Sequence, residues 1–367
     1  LGYTHINAWE KKLIGRETLK DVVLLDRLRS SLEKLNKKLP SECIDHAIYE
    51  LTKSRATHTP IMANKEVYEL IKNGVQVVYK NESGREENDY VKVIDFNEKT
   101  ENDFLLVSQL SIEYQETQNI TRRPDLLIYI NGLPLVMIEL KNATEKVKVG
   151  FDKNLKDYKR DIPQLFWYNL FVCVSNGIQT RVGSFNAPWD HFFSWLKLTD
   201  TAIMNDQPTK EEIEIESQRT GEHLSLKIFG EGLCSKENLL DYFENFVLYH
   251  KNKVKIIAKN HQFLGVNNAI LALQNKETNK GKLGIFWHTQ GSGKSYSMIF
   301  FSKKIHRKVT GNWSFLVITD RKDLDVQIYR NFLETEAIVE TKDQKENYFR
   351  PKDKEKLREY LQSNRAY

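Results

Sequence analysis

The chain has 367 residues, enough for two or three domains, and 40% of them are hydrophobic, so sizeable cores can form. Its 55 basic and 50 acidic residues give a net charge of +5, which permits a nucleic-acid partner without indicating one. Three widely spaced cysteines, Cys43, Cys173 and Cys234, argue against a CxxC zinc site or a disulfide framework and suit a reducing cytosol. No apolar run has the length of a membrane span, so no membrane partner is expected.

Three helices are predicted before the first strands. The first begins near Thr18 and ends at Leu39-Pro40, and its leucines at helical spacing, Leu25, Leu28, Leu32 and Leu35, form one stripe. Ser41 is the expected N-cap of the second helix. A third helix over residues 64–72 is expected to end at Gly74, because glycine favours the left-handed conformation that often terminates a helix.

From residue 75 the hydrophobic period changes to two. Val75, Val77 and Tyr79 alternate with polar residues, and 90–95 is the expected return strand of this hairpin. Residues 104–107 form another short apolar run. With the hairpin described next, these runs predict a sheet of about five strands flanked by helices, an α/β arrangement.

A second hairpin is predicted over residues 125–141. Two apolar runs flank Asn131-Gly132, a pair that favours a tight turn because both residues tolerate positive φ. Glu139 and Lys141 project to the same side of the second strand. Asp125 joins them only if it pairs opposite Glu139, which requires a three-residue loop or a β-bulge. A plain two-residue turn would place Asp125 on the other face.

The three ionisable groups of this hairpin favour a metal-dependent phosphodiesterase. Asp125 and Glu139 offer the oxygen ligands that Mg²⁺ prefers, and the carbonyl of Leu140 is a further candidate. Lys141 would orient or help deprotonate the attacking water and stabilise charge at the phosphorus atom. The alternative interpretation is a hairpin whose charged ends only face water.

The run Pro-Asp, apolar strand, Glu-Leu-Lys resembles the signature of PD-(D/E)xK nucleases. The segment TRRPDLLIYINGLPLVMIELKNA resembles, more narrowly, the restriction (motor and nuclease) subunit of type I restriction-modification enzymes. Stretches within residues 17–110 also resemble the amino-terminal domain of that subunit. The resemblance therefore implies an endonuclease domain that cuts double-stranded DNA and depends on Mg²⁺.

This resemblance extends to residues around the hairpin. The family carries a Gln-x-x-x-Tyr motif after its lysine, and the aligned residues are Asn154, which is one methylene shorter, and Tyr158. Related nucleases often take an extra acidic ligand from an upstream helix, for which Glu50 is the candidate and a solvated surface residue the alternative. We expect Asn154 and Tyr158, together with Arg122 and Arg123, to line the approach of DNA. Each of these four has an ordinary structural role as its alternative.

A glycine-rich loop at residues 284–295 predicts nucleotide binding. A short apolar strand is expected to run into this loop, with a helix over 296–301 after it. Backbone N–H groups and the helix N-terminus would hold the phosphates of ATP, Lys294 would reach the β- and γ-phosphates, and Ser295 would bind Mg²⁺. The expected nucleotide-binding residues of the loop are Thr289, Gly291, Ser292, Gly293, Lys294 and Ser295.

Two flanking segments strengthen the resemblance to the type I subunit and to superfamily 2 motors, although His288 stands where the usual loop has its first glycine. Gln262 lies in a segment similar to the family's adenine-reading segment. Downstream, an apolar strand over 315–318 is expected to end at Asp320-Arg321, and Arg321 is the candidate for a contact with the DNA backbone. A salt-bridged surface arginine is the alternative.

We therefore expect a PD-(D/E)xK endonuclease domain over residues 1–200, a connector over 201–234, and an incomplete RecA-like motor lobe over 235–367. No Asp-Glu pair occurs anywhere in the sequence, so the acidic motor motif is missing and an amino-terminal piece of a larger protein is expected. The resemblance covers about residues 17–335 and is most specific at 122–142 and 284–327.

The resemblance implies an ATP-dependent restriction endonuclease of the prokaryotic cytoplasm. Its partners would be double-stranded DNA and the methyltransferase and specificity subunits. One alternative is a standalone DNA repair nuclease-helicase, which would carry the same two motifs without those subunits. Another is a scaffold that binds DNA under the control of ATP and has a degenerate nuclease. Cleavage assays with and without ATP and the partner subunits distinguish the three.

Overall fold

The computed structural model describes residues 1–9, 14–81, 83–114, 120–198, 212–216, 224–338 and 353–362. The chain forms two compact units, Leu1–Glu244 and Asn245–Tyr367. Both α-helices and β-strands are present, which confirms the mixed α/β class. Within these ranges, no helix is long and apolar enough to cross a membrane.

The first unit is built on a six-stranded mixed sheet. Its strand order is β1-β4-β5-β6-β7-β8, in which β1 is parallel to β4, β6 is parallel to β7, and the other neighbours are antiparallel. The strands are β1 (Thr4–Asn7), β4 (Phe104–Ser108), β5 (Leu126–Ile130), β6 (Leu133–Leu140), β7 (Phe171–Ser175) and β8 (Thr180–Gly183).

Two predictions about strands are wrong. The return strand after β2 (Val75–Lys80) is β3, Glu86–Val91, rather than 90–95, and the two strands form a sheet of their own. The main sheet therefore lacks this hairpin and contains three other strands. One is β7, which the apolar run at 170–175 predicts, and the others are β1 and β8, which were not predicted. β1 is short and mostly exposed. Its sequence has no alternating apolar pattern from which a strand could be predicted.

The predicted helices of the first unit form because each has an apolar stripe. They are α1 (Leu25–Leu35), α2 (Ser41–Thr52) and α3 (Pro60–Asn73), and Gly74 ends α3 at φ +88° as predicted. Ser41 is the first helical residue and Pro40 precedes it, so the prediction that Ser41 is the N-cap is wrong. A proline before a helix has a fixed φ that suits the entry of the chain.

A further helix, α4, spans residues 147–161 and follows β6. Val147–Val149 and Lys156–Asp161 are α-helical, whereas Gly150–Leu155 between them is π-helical. Such π segments widen a helix by one residue per turn and are frequent at functional sites. Asn154 and Tyr158 both lie inside α4.

The tip of the β5–β6 hairpin is buried against the rest of the first unit. The Asn131 side chain donates to the Val93 carbonyl over 2.8 Å and accepts from the Asp103 N–H over 2.7 Å. Gly132 has a φ of +79°, and a Cβ atom there would lie 2.6 Å from the Leu24 carbonyl oxygen. Two features therefore fix the turn: its positive-φ backbone conformation and the close packing of Leu24, at the N-terminal end of α1, against Gly132.

Two helices that follow residue 223 belong to the first unit. They are α5 (Leu224–Leu233) and α6 (Lys236–Asn245), and the rings of Phe229 on α5 and Tyr242 on α6 pack edge-on against Phe171 of β7. The division between the units consequently falls after Glu244, ten residues later than the start predicted for the second domain. Much of the predicted connector, at 201–211 and 217–223, lies outside the described residues.

The second unit contains a β-hairpin and four helices within its described ranges, 245–338 and 353–362. The hairpin pairs β9 (Val247–His250) with β10 (Val254–Ile257). The helices are α7 (Asn260–Gln274), α8 (Lys294–Lys308), α9 (Lys322–Glu334) and α10 (Lys354–Gln362). A small core joins Ile270 and Leu273 of α7 to Ile305 of α8.

The apolar strands predicted at 284–287 and 315–318 are absent. Neither segment forms a ladder in the described part of the second unit, where β9 and β10 are the paired strands. Ile285 is 94% exposed and Ile318 is 83% exposed. A strand needs a neighbour that accepts its backbone hydrogen bonds, and an apolar run alone does not supply one.

Candidate functional site

The β5–β6 hairpin brings Asp125 opposite Glu139 through a two-residue turn combined with a bulge. Asn131 and Gly132 both have positive φ, +51° and +79°. The register shifts between Ile128 and Tyr129, which leaves Leu135 as the extra residue on β6. Leu126 then pairs with Ile138, so Asp125 stands opposite Glu139. The bulge alternative is thus the one that the structure contains.

Asp125, Glu139, Lys141 and Tyr158 form a cluster at this end of the hairpin. Glu139 is its buried centre, with 2% of its surface exposed. Its Oε1 accepts from Lys141 Nζ over 2.7 Å, and its Oε2 accepts from the Tyr158 hydroxyl over 3.0 Å. Burial raises the pKa of Glu139, and the negative charge of Asp125 raises it further, while the bonds from Lys141 and Tyr158 lower it. Two neighbouring carboxylates in such a place favour a cation between them.

Helix α4 supplies Tyr158 to the cluster. The Tyr158 hydroxyl also donates to the Arg123 carbonyl over 3.2 Å, and burial raises the pKa of this phenol. Asn154, one turn earlier on the helix, is a hydrogen-bond partner of Tyr158. The two residues of the predicted Gln-x-x-x-Tyr position therefore lie at the cluster, with Tyr158 in direct contact with Glu139.

The two arginines before Asp125 have different surroundings. Arg122 Nε donates to the buried carboxylate of Asp161 over 2.7 Å, and Arg160 donates to the same group over 2.7 Å. These bonds, first that of Arg160 and then that of Arg122, help to hold the pKa of Asp161 below its usual range. The guanidinium of Arg123 stacks over the ring of Trp9, 3.9 Å from its centroid. Trp9 is 62% exposed.

Three residues at the cluster were missed by the sequence analysis. Gln109 donates to Asp125 Oδ1 over 2.9 Å. Gly150 allows α4 to approach the strands, since a Cβ atom there would lie 2.5 Å from Val174 and 3.5 Å from Glu139 Cγ. The carboxylate of Asp161 accepts a hydrogen bond from the guanidinium of Arg122. The only sequence signal among them is Gly150, a glycine inside a helix, which often marks a close approach of the backbone.

The donor set at the cluster fits a magnesium ion. Two carboxylates are the hard oxygen ligands that Mg²⁺ takes, and Mg²⁺ needs only one or two of them because it keeps several waters. Asp125 uses one lone pair of each oxygen, accepting from Gln109 and from the Leu140 N–H over 2.7 Å. A carboxylate has about four such positions, so others remain for a cation. Among the described residues, no group of three or more His, Cys, Asp or Glu side chains forms a metal site.

Glu50 lies on α2 and is paired with a lysine. Its Oε2 accepts from Lys53 Nζ over 2.7 Å, and Lys53 also lies 3.7 Å from Glu66. Glu50 therefore takes part in an ion-pair network, and its role as a further metal ligand stays a prediction.

The glycine-rich loop of the second unit has the backbone that phosphate binding requires. Gly291 and Gly293 have φ of +78° and +92°, and α8 begins directly afterwards at Lys294. The first N–H groups of a helix have no partner within it and attract anions. The Ser292 hydroxyl is buried and makes no hydrogen bond within the described residues. These features fit a phosphate ligand.

Two of the predicted nucleotide-binding residues make contacts within this loop. Lys294 Nζ donates to the carbonyls of His288 and Thr289 over 2.7 and 3.1 Å. Gln262 is buried, accepts from the Lys259 N–H over 2.8 Å and donates to the Gly293 carbonyl over 2.9 Å. Gln262 therefore lies at the loop, where its amide joins the start of α7 to the start of α8. Ser295 lies in the first turn of α8 and is partly exposed.

Arg321 is a surface residue directly before α9. Its side chain is 79% exposed and lies 3.7 Å from Asp320, which is equally exposed. An ion pair in this setting contributes little to stability. Such an arginine is accessible to DNA, so its contact with the DNA backbone stays a prediction.

Two family models match this chain, one in each part of the sequence. Residues 1–191 match the family model described as type I restriction enzyme R protein N terminus, and residues 261–367 match the model described as SWI2/SNF2 ATPase. The first match covers more than half of the chain. The chain therefore belongs to the type I restriction enzyme R protein N-terminal family.

Individual relatives carry names of the same kind. The type I restriction enzyme HindI endonuclease subunit of Haemophilus influenzae is 32% identical over 360 residues, which are 95% of this chain and 32% of the relative. A protein of Methanocaldococcus jannaschii, provisionally named as the MjaIXP endonuclease subunit, is 32% identical over 349 residues, 90% of this chain and 32% of the relative. The chain thus spans about a third of the length of these relatives.

Proposed function

We propose that this chain contains the DNA-cleaving centre and part of the motor of an ATP-dependent type I restriction endonuclease. The observation that carries the proposal is the convergence of Asp125, Glu139, Lys141 and Tyr158 at one end of the β5–β6 hairpin. A charged hairpin that only faced water would expose Glu139, whereas this side chain is buried. The first unit is accordingly a nuclease domain of the PD-(D/E)xK type.

The residues of the cluster have separate roles in phosphodiester hydrolysis. Asp125 and Glu139 would hold Mg²⁺, which when bound supplies a Lewis acid that polarises a phosphate oxygen. The ammonium of Lys141, 2.7 Å from Glu139, would orient the attacking water and stabilise negative charge as it develops on the phosphate. Tyr158 donates to Glu139, which lowers the pKa of this carboxyl and so favours its ionised form. Arg122, Arg123 and Asn154 would contact DNA beside the cluster.

The second unit would bind ATP through the loop before α8. Thr289, Gly291, Ser292 and Gly293 form the loop around the phosphates, Lys294 would exchange its carbonyl partners for the β- and γ-phosphates, and Ser295 would bind Mg²⁺. Gln262, already at the loop, would read the adenine. The unit is then the first lobe of a RecA-like translocase, and Arg321 would touch the DNA backbone.

Family membership supports a place in a larger assembly. In the type I systems, a restriction subunit acts with methyltransferase and specificity subunits, and we propose the same partners for this chain. The DNA recognition sequence would be read by the specificity subunit. Double-stranded DNA is the substrate of the first unit.

The proposal is tested by removing each ionisable group of the hairpin in the assembled enzyme. Asp125→Ala, Glu139→Ala and Lys141→Ala should each abolish plasmid cleavage while ATP hydrolysis stays near that of the parent enzyme. Asp152→Ala and Lys148→Ala, which remove a carboxylate and an amine from the exposed side of α4, are matched controls and should cleave normally. Cleavage by the Asp125→Ala enzyme at the parent rate would show that the site is elsewhere.

A further inference from the structure

The ladder between β4 and β5 is interrupted beside Asp125. The two strands pair from Phe104↔Ile130 to Ser108↔Leu126, and an isolated bridge between Ile112 and Arg122 continues in the same register. Pro124 lies within the interruption and has no N–H to donate to the opposite strand. The missing N–H of Pro124 therefore explains why the ladder is interrupted at this point.

Gln109 occupies the edge of this break in a conformation that glutamine rarely adopts. Its φ is +57°, in the left-handed region, which is unfavourable for a residue with a Cβ atom. Its backbone N–H donates to the Asp125 carbonyl over 3.0 Å, and its side-chain Nε2 donates to Asp125 Oδ1 over 2.9 Å. Strained residues that persist in this way cluster at functional sites.

The Asp125 carboxylate is fixed from both neighbouring strands. Gln109 on the β4 side holds Oδ1, and the Leu140 N–H on the β6 side holds Oδ2 over 2.7 Å. With one donor on each oxygen, the carboxylate cannot rotate without losing a hydrogen bond. A carboxylate oriented in advance binds a cation more tightly than one that must be ordered on binding.

We propose that Gln109 is a positioning residue that orients Asp125 for Mg²⁺ in the nuclease centre; this inference rests on the proposed function. Gln109 touches neither the substrate nor the ion. It acts through Asp125 and sets the concentration of Mg²⁺ that the centre requires. Loss of such a supporting hydrogen bond typically lowers metal affinity about 10- to 100-fold.

The test is a titration of plasmid cleavage with MgCl₂ in the assembled enzyme that carries Gln109→Ala or Gln109→Gly. Both variants lose the amide, and glycine in addition suits the positive φ, so it removes the strain and keeps the fold. We expect the Mg²⁺ concentration for half-maximal cleavage to rise about tenfold or more in both, with a smaller change in the rate at saturating Mg²⁺. Binding of Mn²⁺ to the chain, measured by calorimetry, should weaken in parallel.

Two further variants make the outcomes distinct. Gln76→Ala removes an exposed glutamine from β2 and should leave the Mg²⁺ dependence unchanged. An unchanged half-saturation in Gln109→Gly, while Asp125→Ala abolishes cleavage and Mn²⁺ binding, would overturn the positioning role and leave the proposed function standing. Normal cleavage by Asp125→Ala would overturn both.

Discussion

Glu139 is placed where its negative charge is disfavoured. The carboxylate is buried on β6 and close to the charge of Asp125, so its pKa is raised even though Lys141 and Tyr158 donate to it. The folded protein therefore keeps this proton to a higher pH than the unfolded chain does. The contribution of Glu139 to stability is present below its unfolded pKa and is lost as the pH rises through the folded pKa. A bound cation would offset that loss.

Glu139→Gln should therefore have opposite effects on activity and on stability. The amide cannot act as an anionic ligand, so cleavage should be lost, but Lys141 can still donate to its oxygen. In metal-free buffer at neutral pH the variant should melt higher than the parent, by roughly 2–4 °C for each kcal/mol that is relieved. Calorimetry at two pH values checks this, because the difference should shrink as the pH falls. A lower melting temperature at neutral pH contradicts the account.

Tyr158→Phe tests the second hydrogen bond to Glu139. The phenol lowers the pKa of Glu139, so its removal should raise that pKa further. If cleavage requires ionised Glu139, the acid limb of the pH–rate profile should move to higher pH, and activity on the alkaline side should change less. Tyr49→Phe, at an exposed position on α2, is the control. An acid limb that does not move would separate Tyr158 from the chemistry.

The sequence could predict the ionisable residues of the hairpin but not what holds them. Asp125, Glu139 and Lys141 lie in one short segment, and strand alternation relates the last two directly. Gln109 is sixteen positions away from Asp125 and reaches it only because β4 pairs with β5. In the same way, Asp161 meets Arg122 only because α4 packs back against the strands. Contacts between elements follow from pairing, which local patterns do not contain.

At the scale of elements, the β5–β6 hairpin sets the geometry of the site through one extra residue. The sequence is compatible with either an odd loop or a bulge that brings Asp125 opposite Glu139, and the structure contains a bulge at Leu135. A change of one residue in register moves every side chain to the opposite face. The position of the turn is therefore critical, and Gly132 determines it.

Gly132→Ala should destabilise the protein more than Gly84→Ala does. Both glycines have positive φ, +79° and +75°, so both substitutions carry the cost of the left-handed conformation. A Cβ at residue 132 also meets the Leu24 carbonyl at 2.6 Å, whereas nothing lies within 4 Å at residue 84. The extra overlap should cost about 1–3 kcal/mol. Chemical denaturation of both variants measures the difference, and equal losses would contradict it.

Local patterns were sufficient for some elements and misleading for others. The leucine stripe of α1, the glycine stop of α3 and the apolar runs that flank Asn131-Gly132 are local features of their own elements, and each of these elements forms in the structure. The apolar runs at 284–287 and 315–318 predicted strands that are absent. Helices satisfy their hydrogen bonds internally, whereas a strand depends on a partner elsewhere in the chain.

At the scale of the whole molecule, the hairpin cluster and the glycine-rich loop lie in separate compact units. The boundary between the units lies later than predicted because α5 and α6 bury aromatic rings against β7. The polar composition of residues 201–223 gives no sign of this contact. The proposed functions are therefore separable by mutation. A change in the loop before α8 should leave the hairpin cluster intact.

Lys294→Ala is the corresponding prediction for the second unit. In the assembled enzyme this change removes the positive charge at the β- and γ-phosphates, so ATP hydrolysis and ATP-driven translocation should fall to background. Cleavage at a distance should stop as well, although Asp125, Glu139 and Lys141 are untouched. Lys303→Ala, on the same helix, is the control. Normal distant cleavage by Lys294→Ala would contradict a motor that depends on this loop.

The 367-residue chain by itself should bind ATP weakly. The segment that leads into the loop has no partner strand in the described part of the second unit, and Trp287 is 87% exposed, so no strand ladder supports this segment there. Part of the binding free energy would go into ordering it. We expect fluorescent ATP analogues to bind the isolated chain at least about tenfold more weakly than the assembled enzyme, with negligible hydrolysis. Strong DNA-stimulated ATPase activity from residues 1–367 alone would show that the loop needs no further support.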